Sequence, residues 1–285
     1  MRDRGNRPIA LSFWLWWFAL LGFSRAALGA TEVSGEISTS RSWTLAGSPY
    51  IVTGWLHVRG ASSPVLTIEP GVEVRFNGGQ GMSIGYQQPG GLVAVGTPTE
   101  PVRFTSNAAP VAVRQWRGIF FDPLTTAGTR IENGVIEGAG SNGEGGATVI
   151  GGAPTFRGVT VRTNGGAAIR VNGGTPTIAG CLLQGSRDWD ALGLDARGGT
   201  ISLTDTTITG NAGAAMALYL GAVLEGLTGL TLSGNGADVV RYRSTEISAN
   251  ERWKSFGLPY ALTDGWVYVR GASSPVLTIE PGVEV

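Results

Sequence analysis

The stretch SRDWDALGLDARGG (186–199) is the best local candidate for chemistry in this sequence. Asp188 and Asp190 flank Trp189, with Arg187, Asp195 and Arg197 close by. On an extended strand, residues two apart share a face, so both carboxylates would point the same way. A carboxylate pair beside an exposed indole suits a calcium ion or the face of a sugar ring. Two carboxylates fall short of the about six to eight oxygens that calcium takes, so no metal site and no cofactor is expected. The competing expectation is a solvated loop in which Trp189 covers an opening in the fold.

Other chemistry is scarce. The only histidine is His57, in the stretch WLHV (55–58). A related stretch later in the chain carries Tyr268 in its place, which points to a packing position. A single histidine excludes a zinc site built on several His. Cys181 sits in an apolar slot and is expected to act as a small buried hydrophobe. GGQGMSIG (78–85) begins like a calcium-binding nonapeptide but lacks its Asp. GEGGAT (143–148) lacks the Lys and the spacing of a phosphate loop.

The frame that must hold these residues is a repeat. VRGASSPVLTIEPGVEV occurs at 58–74 and again, unchanged, at 269–285. The likeness is longer than that: SGEISTSRSW (34–43) matches STEISANERW (244–253), and SPYIVTGWLHVRG (48–60) matches LPYALTDGWVYVRG (258–271). The expected organisation is a module over 34–243 and the beginning of a second, truncated module over 244–285.

A looser period runs between the two copies of this repeated segment. The apolar triplet Phe156, Val159, Val161 recurs as Ile178, Cys181, Leu183, then as Leu203, Thr206, Ile208, then as Leu227, Leu230, Leu232. Ile131, Gly134 and Ile136 form an earlier candidate. Strands alternate inward and outward side chains, so apolar residues two apart both face a core. Gly-Gly and Asn-Gly pairs supply corners. One such turn cannot bury its own apolar face, so turns must stack. The pattern predicts an all-β fold: a right-handed parallel β-helix, a solenoid with three short strands per turn. An antiparallel sandwich built on Asn-Gly hairpins is the rival, but it does not require one triplet to return at every turn. No helix is expected beyond the N-terminal signal; even AGAAMALYLGAVLEGL (212–227) fits the coil template.

Composition agrees: Gly is abundant at 46 residues and charged residues make up only 15%. Arg2, Arg4 and Arg7 precede the apolar run Ile9–Phe23 and the small-residue stretch SRAALGA. That order predicts a cleaved signal peptide over 1–29, with the protein secreted or displayed at the cell surface. The remaining chain would carry 17 basic and 20 acidic residues. Nothing in that balance attracts nucleic acid, and no membrane span is expected in the mature chain.

The stretches VLTIEPGVEVRF (65–76), LVAVGTPTEPVRFTS (92–106) and WRGIFF (116–121) resemble the exported bacterial proteins of the pectin-lyase-like β-helix superfamily. The resemblance covers about 34–243 and the partial second copy. It implies a structural role for Glu69 in the turn at Pro70-Gly71, and core or covering roles for Trp116, Phe120 and Phe121. It also implies a search for polysaccharide chemistry. The clustered Asp and Gly-His-Gly motifs of polygalacturonase-type hydrolases are missing. The expected function is therefore an exported structural, adhesive or carbohydrate-binding solenoid, with polysaccharide or a cell-surface glycan as partner. The alternative is a polysaccharide lyase or glycoside hydrolase acting through Asp188, Asp190 and Arg187.

Overall fold

A computed structural model describes residues 29–187, 192–262 and 265–285. The signal sequence expected at the N-terminus falls almost wholly outside these residues, and so do Asp188, Trp189 and Asp190.

The chain winds as a parallel β-helix with three faces. Face one is a ladder of eight strands that starts at Arg41–Trp43 and Val65–Ile68, continues through Thr155–Arg157 and Thr177–Ala179, and ends at Ala222–Gly226. Face two runs through Glu73–Phe76, Val102–Ser106, Gly134–Glu137, Thr160–Arg162 and onward to Thr231–Ser233. Face three runs through Met82–Ile84, Ile119–Phe121, Ala147–Val149, Ile169–Val171, Leu194–Ala196, Ala214–Leu218 and Ala237–Tyr242. Neighbours within each face run parallel, which excludes the antiparallel sandwich. A single 3-10 turn, Leu45–Gly47, is the one helical element among the described residues. No described helix is long and apolar enough to cross a membrane.

The triplets account for the core. Ile131, Phe156, Ile178 and Leu203 are register partners on face one and are fully buried. Ile136, Val161, Leu183, Ile208 and Leu232 form the matching column on face two. Burying a side chain of this size contributes about 1.5–3 kcal/mol, and each turn supplies several. The last turn departs from the expected pattern. Leu203 pairs with Gly226, not with Leu227, and Ile201 pairs with Leu224. The strand stops at Gly226. Leu224 takes the inward position at 4% exposure, while Leu227 is turned by its positive φ of 37°.

Side chains also stack at a corner. Asn211 Nδ2 donates to the Leu183 carbonyl and to Asn235 Oδ1, and Asn235 Nδ2 donates to the Ile208 carbonyl. Each amide thus satisfies main chain that the bend leaves unpaired, as in other stacked-strand ladders. At an earlier turn Asn164 Oδ1 accepts from Ala139 N–H. The turn at Pro70-Gly71 is closed by main chain, Val72 N–H donating to the Glu69 carbonyl, with Gly71 at φ 74°.

The second copy of the repeated segment reproduces the local build of the first. Trp253 stacks on Tyr260 at 4.8 Å as Trp43 stacks on Tyr50 at 4.5 Å. Arg270 pairs with Glu246 at 2.8 Å as Arg59 pairs with Glu36 at 2.8 Å. Its seating differs. Tyr260–Leu262 pairs with Ala237–Tyr242, which continues face three, whereas the equivalent Tyr50–Val52 pairs with Glu73–Phe76 on face two. The second copy thus joins the turns before it through face three. Face one is interrupted there, leaving a cavity of about 660 Å³ between Ala222–Leu224 and Glu251–Lys254. Its polar groups are already partnered: Lys254 Nζ donates to the Leu224 carbonyl, and Tyr242 and Trp253 both donate to the Glu251 carboxylate.

Candidate functional site: an aromatic cleft on face three

Along Tyr50–Val58 the alternation places Leu56 and Val58 inward, both essentially buried, and His57 outward. Parallel register then carries His57 to Ser83 and Ser83 to Phe120 on the next two turns. Trp55 and Asp122 lie two residues to either side of this column, on the same outward face by strand alternation. Tyr86 and Arg117 come from the connections flanking Met82–Ile84 and Ile119–Phe121. Together Trp55, His57, Ser83, Tyr86, Arg117, Phe120 and Asp122 line a cleft of about 460 Å³.

Two glycines allow this convergence. A Cβ on Gly81 would stand 3.0 Å from the Trp55 ring and from the Arg117 side chain, so the glycine gives these two room to close over the strand. Gly85 has φ 76°, and a Cβ there would collide with the main chain of Leu124 and Thr125. Its geometry brings the following residue, Tyr86, to the rim.

The cleft walls are aromatic. Trp55 lies 5.6 Å from Phe120 and 6.3 Å from His57, and His57 lies 5.7 Å from Tyr86. Guanidinium groups cap two of the rings: Arg117 is 5.4 Å from the Trp55 centroid and Arg59 is 5.6 Å from that of Tyr86. Ser83 Oγ anchors the floor, 2.6 Å from His57 Nδ1 and within 3.5 Å of Trp55 Nε1. Burial and the nearby Arg59 charge hold the imidazole below its ordinary pKa, against an opposing pull from Glu36.

Asp122 is the one carboxylate in the cleft. It is only 6% exposed, and desolvation pushes its pKa up to about 6. No hydrogen bond or ion pair to its carboxylate is found among the described residues. Its main chain is fully engaged, the N–H donating to the Ile84 carbonyl and the carbonyl accepting from Thr125 N–H and Oγ1. A desolvated acid in a concave aromatic setting is the usual mark of a binding or reacting site.

The residues singled out from sequence fall differently. Asp188, Trp189 and Asp190 lie outside the described residues. Arg187 is exposed, its N–H donating to the Asn164 carbonyl. Asp195 is wholly buried and takes ion pairs from Arg170 at 2.8 Å and Arg197 at 2.9 Å. The carboxylate is thus covered and engaged by the two arginines, of which Arg197 is itself 38% exposed. His57, expected to be a packing residue, faces outward into the cleft, because strand alternation reserves the core for its neighbours. Trp116 and Phe121 fill the core as expected, whereas Phe120 is the cleft wall. Cys181 is buried with its thiol pushed up to about 11 by desolvation, which makes it a poor nucleophile at neutral pH.

Tyr86, Arg117 and Asp122 escaped sequence reasoning because they lie in the connections beside strands of two different turns, away from Trp55 and His57 in the chain. The available signal was the repeated segment, where WLHV and WVYV keep an aromatic at alternate positions 55/57 and 266/268. Among the described residues no group of three or more His, Cys, Asp and Glu could hold a metal ion. Comparison with protein-family models, with curated proteins and with solved structures finds no match.

Proposed function

We propose that this is an exported β-helix protein that binds carbohydrate through the face-three cleft, at the cell surface or outside the cell. The observation that carries the proposal is the pairing of three aromatic walls, Trp55, Tyr86 and Phe120, with the unpartnered carboxylate of Asp122 in one cavity. Aromatic faces cover the apolar side of a sugar ring, and a few fixed polar groups set its orientation. Ser83, His57 and Arg117 supply such groups here. The secretory pattern at the N-terminus and the resemblance to pectin-lyase-like proteins support the extracellular setting.

Binding is favoured over bond cleavage by the carboxylate count. Glycoside hydrolysis uses two carboxyl groups about 5–9.5 Å apart, and the cleft is lined by one. The test is affinity electrophoresis and tryptophan fluorescence against a panel of soluble polysaccharides, with reducing-end and ultraviolet assays for cleavage run alongside. The proposal expects retardation by at least one glycan, a fluorescence change, and no new ends. Trp55→Ala should abolish the retardation. Retardation unaffected by Trp55→Ala, or release of new chain ends, overturns it.

A further inference from the structure

Asp122 is 6% exposed, lines a cavity walled by aromatic rings, and has no cation beside it among the described residues. The nearest candidate, Arg117, is drawn elsewhere. Its guanidinium lies over Trp55 and reaches Glu144 at 3.8 Å, and the Asn142 amide, oriented oxygen-first, accepts from it at 2.7 and 3.1 Å. Arg59 is held by Glu36. The cleft therefore presents a desolvated anion with rings around it and leaves the countercharge to be supplied.

Ligand chemistries can be ranked against that arrangement. A neutral sugar stacks on the rings but leaves the buried charge unpaired, which is costly in a poorly solvated site. A uronate, the sugar that a pectin-lyase-like resemblance would suggest, brings a second carboxylate toward the first and raises both proton affinities. A protonated amine gains twice, from the carboxylate and from the ring faces, which attract cations when desolvated. Resting on the carbohydrate reading of the same cleft, we infer that its ligand is an amino sugar, a glycan unit with a free primary ammonium that pairs with Asp122 between the aromatic walls.

The pH response follows from the groups that face Asp122. His57, Tyr86 and Arg117 line the cleft with it, and Arg59 and Glu36 pair behind His57. As pH falls Asp122 loses its negative charge and His57 becomes cationic, and both changes disfavour a cationic ligand. Amino-sugar binding should therefore weaken below about pH 6, where Asp122 takes up its proton. Near that pH, binding should expel a proton, because the bound ammonium favours the ionised carboxylate.

Titration calorimetry with glucosamine oligomers, N-acetylglucosamine oligomers of equal length, a neutral glucan oligomer and a galacturonan oligomer tests the inference, at pH 7 and pH 5 and in two buffers of different ionisation heat. The expected result is at least about tenfold tighter binding of the amino over the N-acetyl oligomer at pH 7, shrinking at pH 5, with proton release near pH 6. Asp122→Asn should erase that preference, with its thermal midpoint confirming the fold, while neutral-sugar stacking persists. Tetramethylammonium serves as a sugar-free cation; if it competes as well as the oligomer, a headgroup and not a glycan is the ligand, and the inference falls. Equal affinity for amino and N-acetyl oligomers, or a preference that survives Asp122→Asn, also overturns it while leaving the carbohydrate reading standing. Failure of every glycan to bind overturns both.

Discussion

His57 Nδ1 lies 2.6 Å from the Ser83 hydroxyl, a contact between register partners on adjacent turns that ties the floor of the cleft to the wall of the coil. The imidazole is kept toward its neutral form by burial first and by Arg59 second, with Glu36 pulling the other way. Its stability contribution is therefore present above the unfolded pKa near 6.5 and lost as pH falls through the lower folded value. Following the His57 ring by NMR should give a midpoint below 6.5. Arg59→Gln should raise that midpoint and Glu36→Gln should lower it further. A ring that titrates at or above 6.5 in the parent protein would show that the site is wetter than its geometry implies.

Asp122 carries the opposite sign. Its folded pKa is raised to about 6 from an ordinary 3.8, so the folded state gains relative stability at acid pH and loses it as pH rises through about 6. A shift of this size corresponds to up to about 3 kcal/mol. Asp122→Asn should therefore stabilise the protein at pH 7, by about 1–3 kcal/mol, and have little effect at pH 4. Denaturant melts of the two proteins at both pH values measure this directly. A variant less stable than the parent at pH 7 would mean that the carboxylate has a partner holding it in place. The expectation is a trade of stability for function, common where a site keeps a charge ready for its ligand.

What could be read in the sequence divides along the reach of the repeat. The columns of Phe156, Ile178 and Leu203, and of Val161, Leu183 and Ile208, follow from alternation within a strand and recurrence between turns, both of which are local patterns. The cleft does not follow from them. Trp55, Tyr86 and Asp122 are brought together by register across turns of unequal length, 26 residues from His57 to Ser83 and 37 from Ser83 to Phe120. Those lengths are set by corner loops that carry no periodic signal. The role of Asp195 was hidden for a related reason: only the strand pairing places Arg170 beside it on the preceding turn. Leu227 shows the limit on the core side, since the triplet spacing could not reveal that the last face-one strand would turn at Gly226.

Phe76 and Trp116 form a close aromatic stack in the interior, with centroids 4.0 Å apart and planes within 6°. Trp116 reaches the core from the long connection between faces two and three, and its Nε1 donates to the Glu137 carbonyl at 2.8 Å. Trp116→Ala should cost about 3–5 kcal/mol through lost burial and the cavity left behind. Trp116→Phe keeps most of the ring but leaves the Glu137 carbonyl without this donor, and should cost about 1–3 kcal/mol. Chemical denaturation monitored by far-ultraviolet circular dichroism separates the two. Equal losses for both variants would assign the whole effect to the hydrogen bond.

Glu137 anchors an ion cluster on the outward side of face two, and its pH signature distinguishes it from the cleft acid. Oε1 accepts from Arg103 at 2.6 Å and from Thr105 at 3.2 Å, and Oε2 accepts from Arg162 at 2.8 Å. Burial alone would raise this carboxyl, but the hydrogen bonds and charges of Arg162 and Arg103 outweigh it and hold the group below its ordinary 4.5. A depressed folded pKa gives stability that is present above the unfolded value and lost as pH falls through the folded one. The arginines are about a third or more exposed, at 36% and 41%, so solvent screening reduces the cluster to about 1–2 kcal/mol. Glu137→Gln should therefore destabilise by about that much at pH 7, and the difference from the parent should narrow as pH falls below the ordinary 4.5 and in high salt. Because Asp122→Asn is expected to move stability the other way over a higher pH range, urea melts of the two single variants and the double variant at pH 7 and pH 4 test both assignments together. Additive shifts of opposite sign at pH 7 are the expected result; shifts of the same sign would refute one of the two protonation states assigned here.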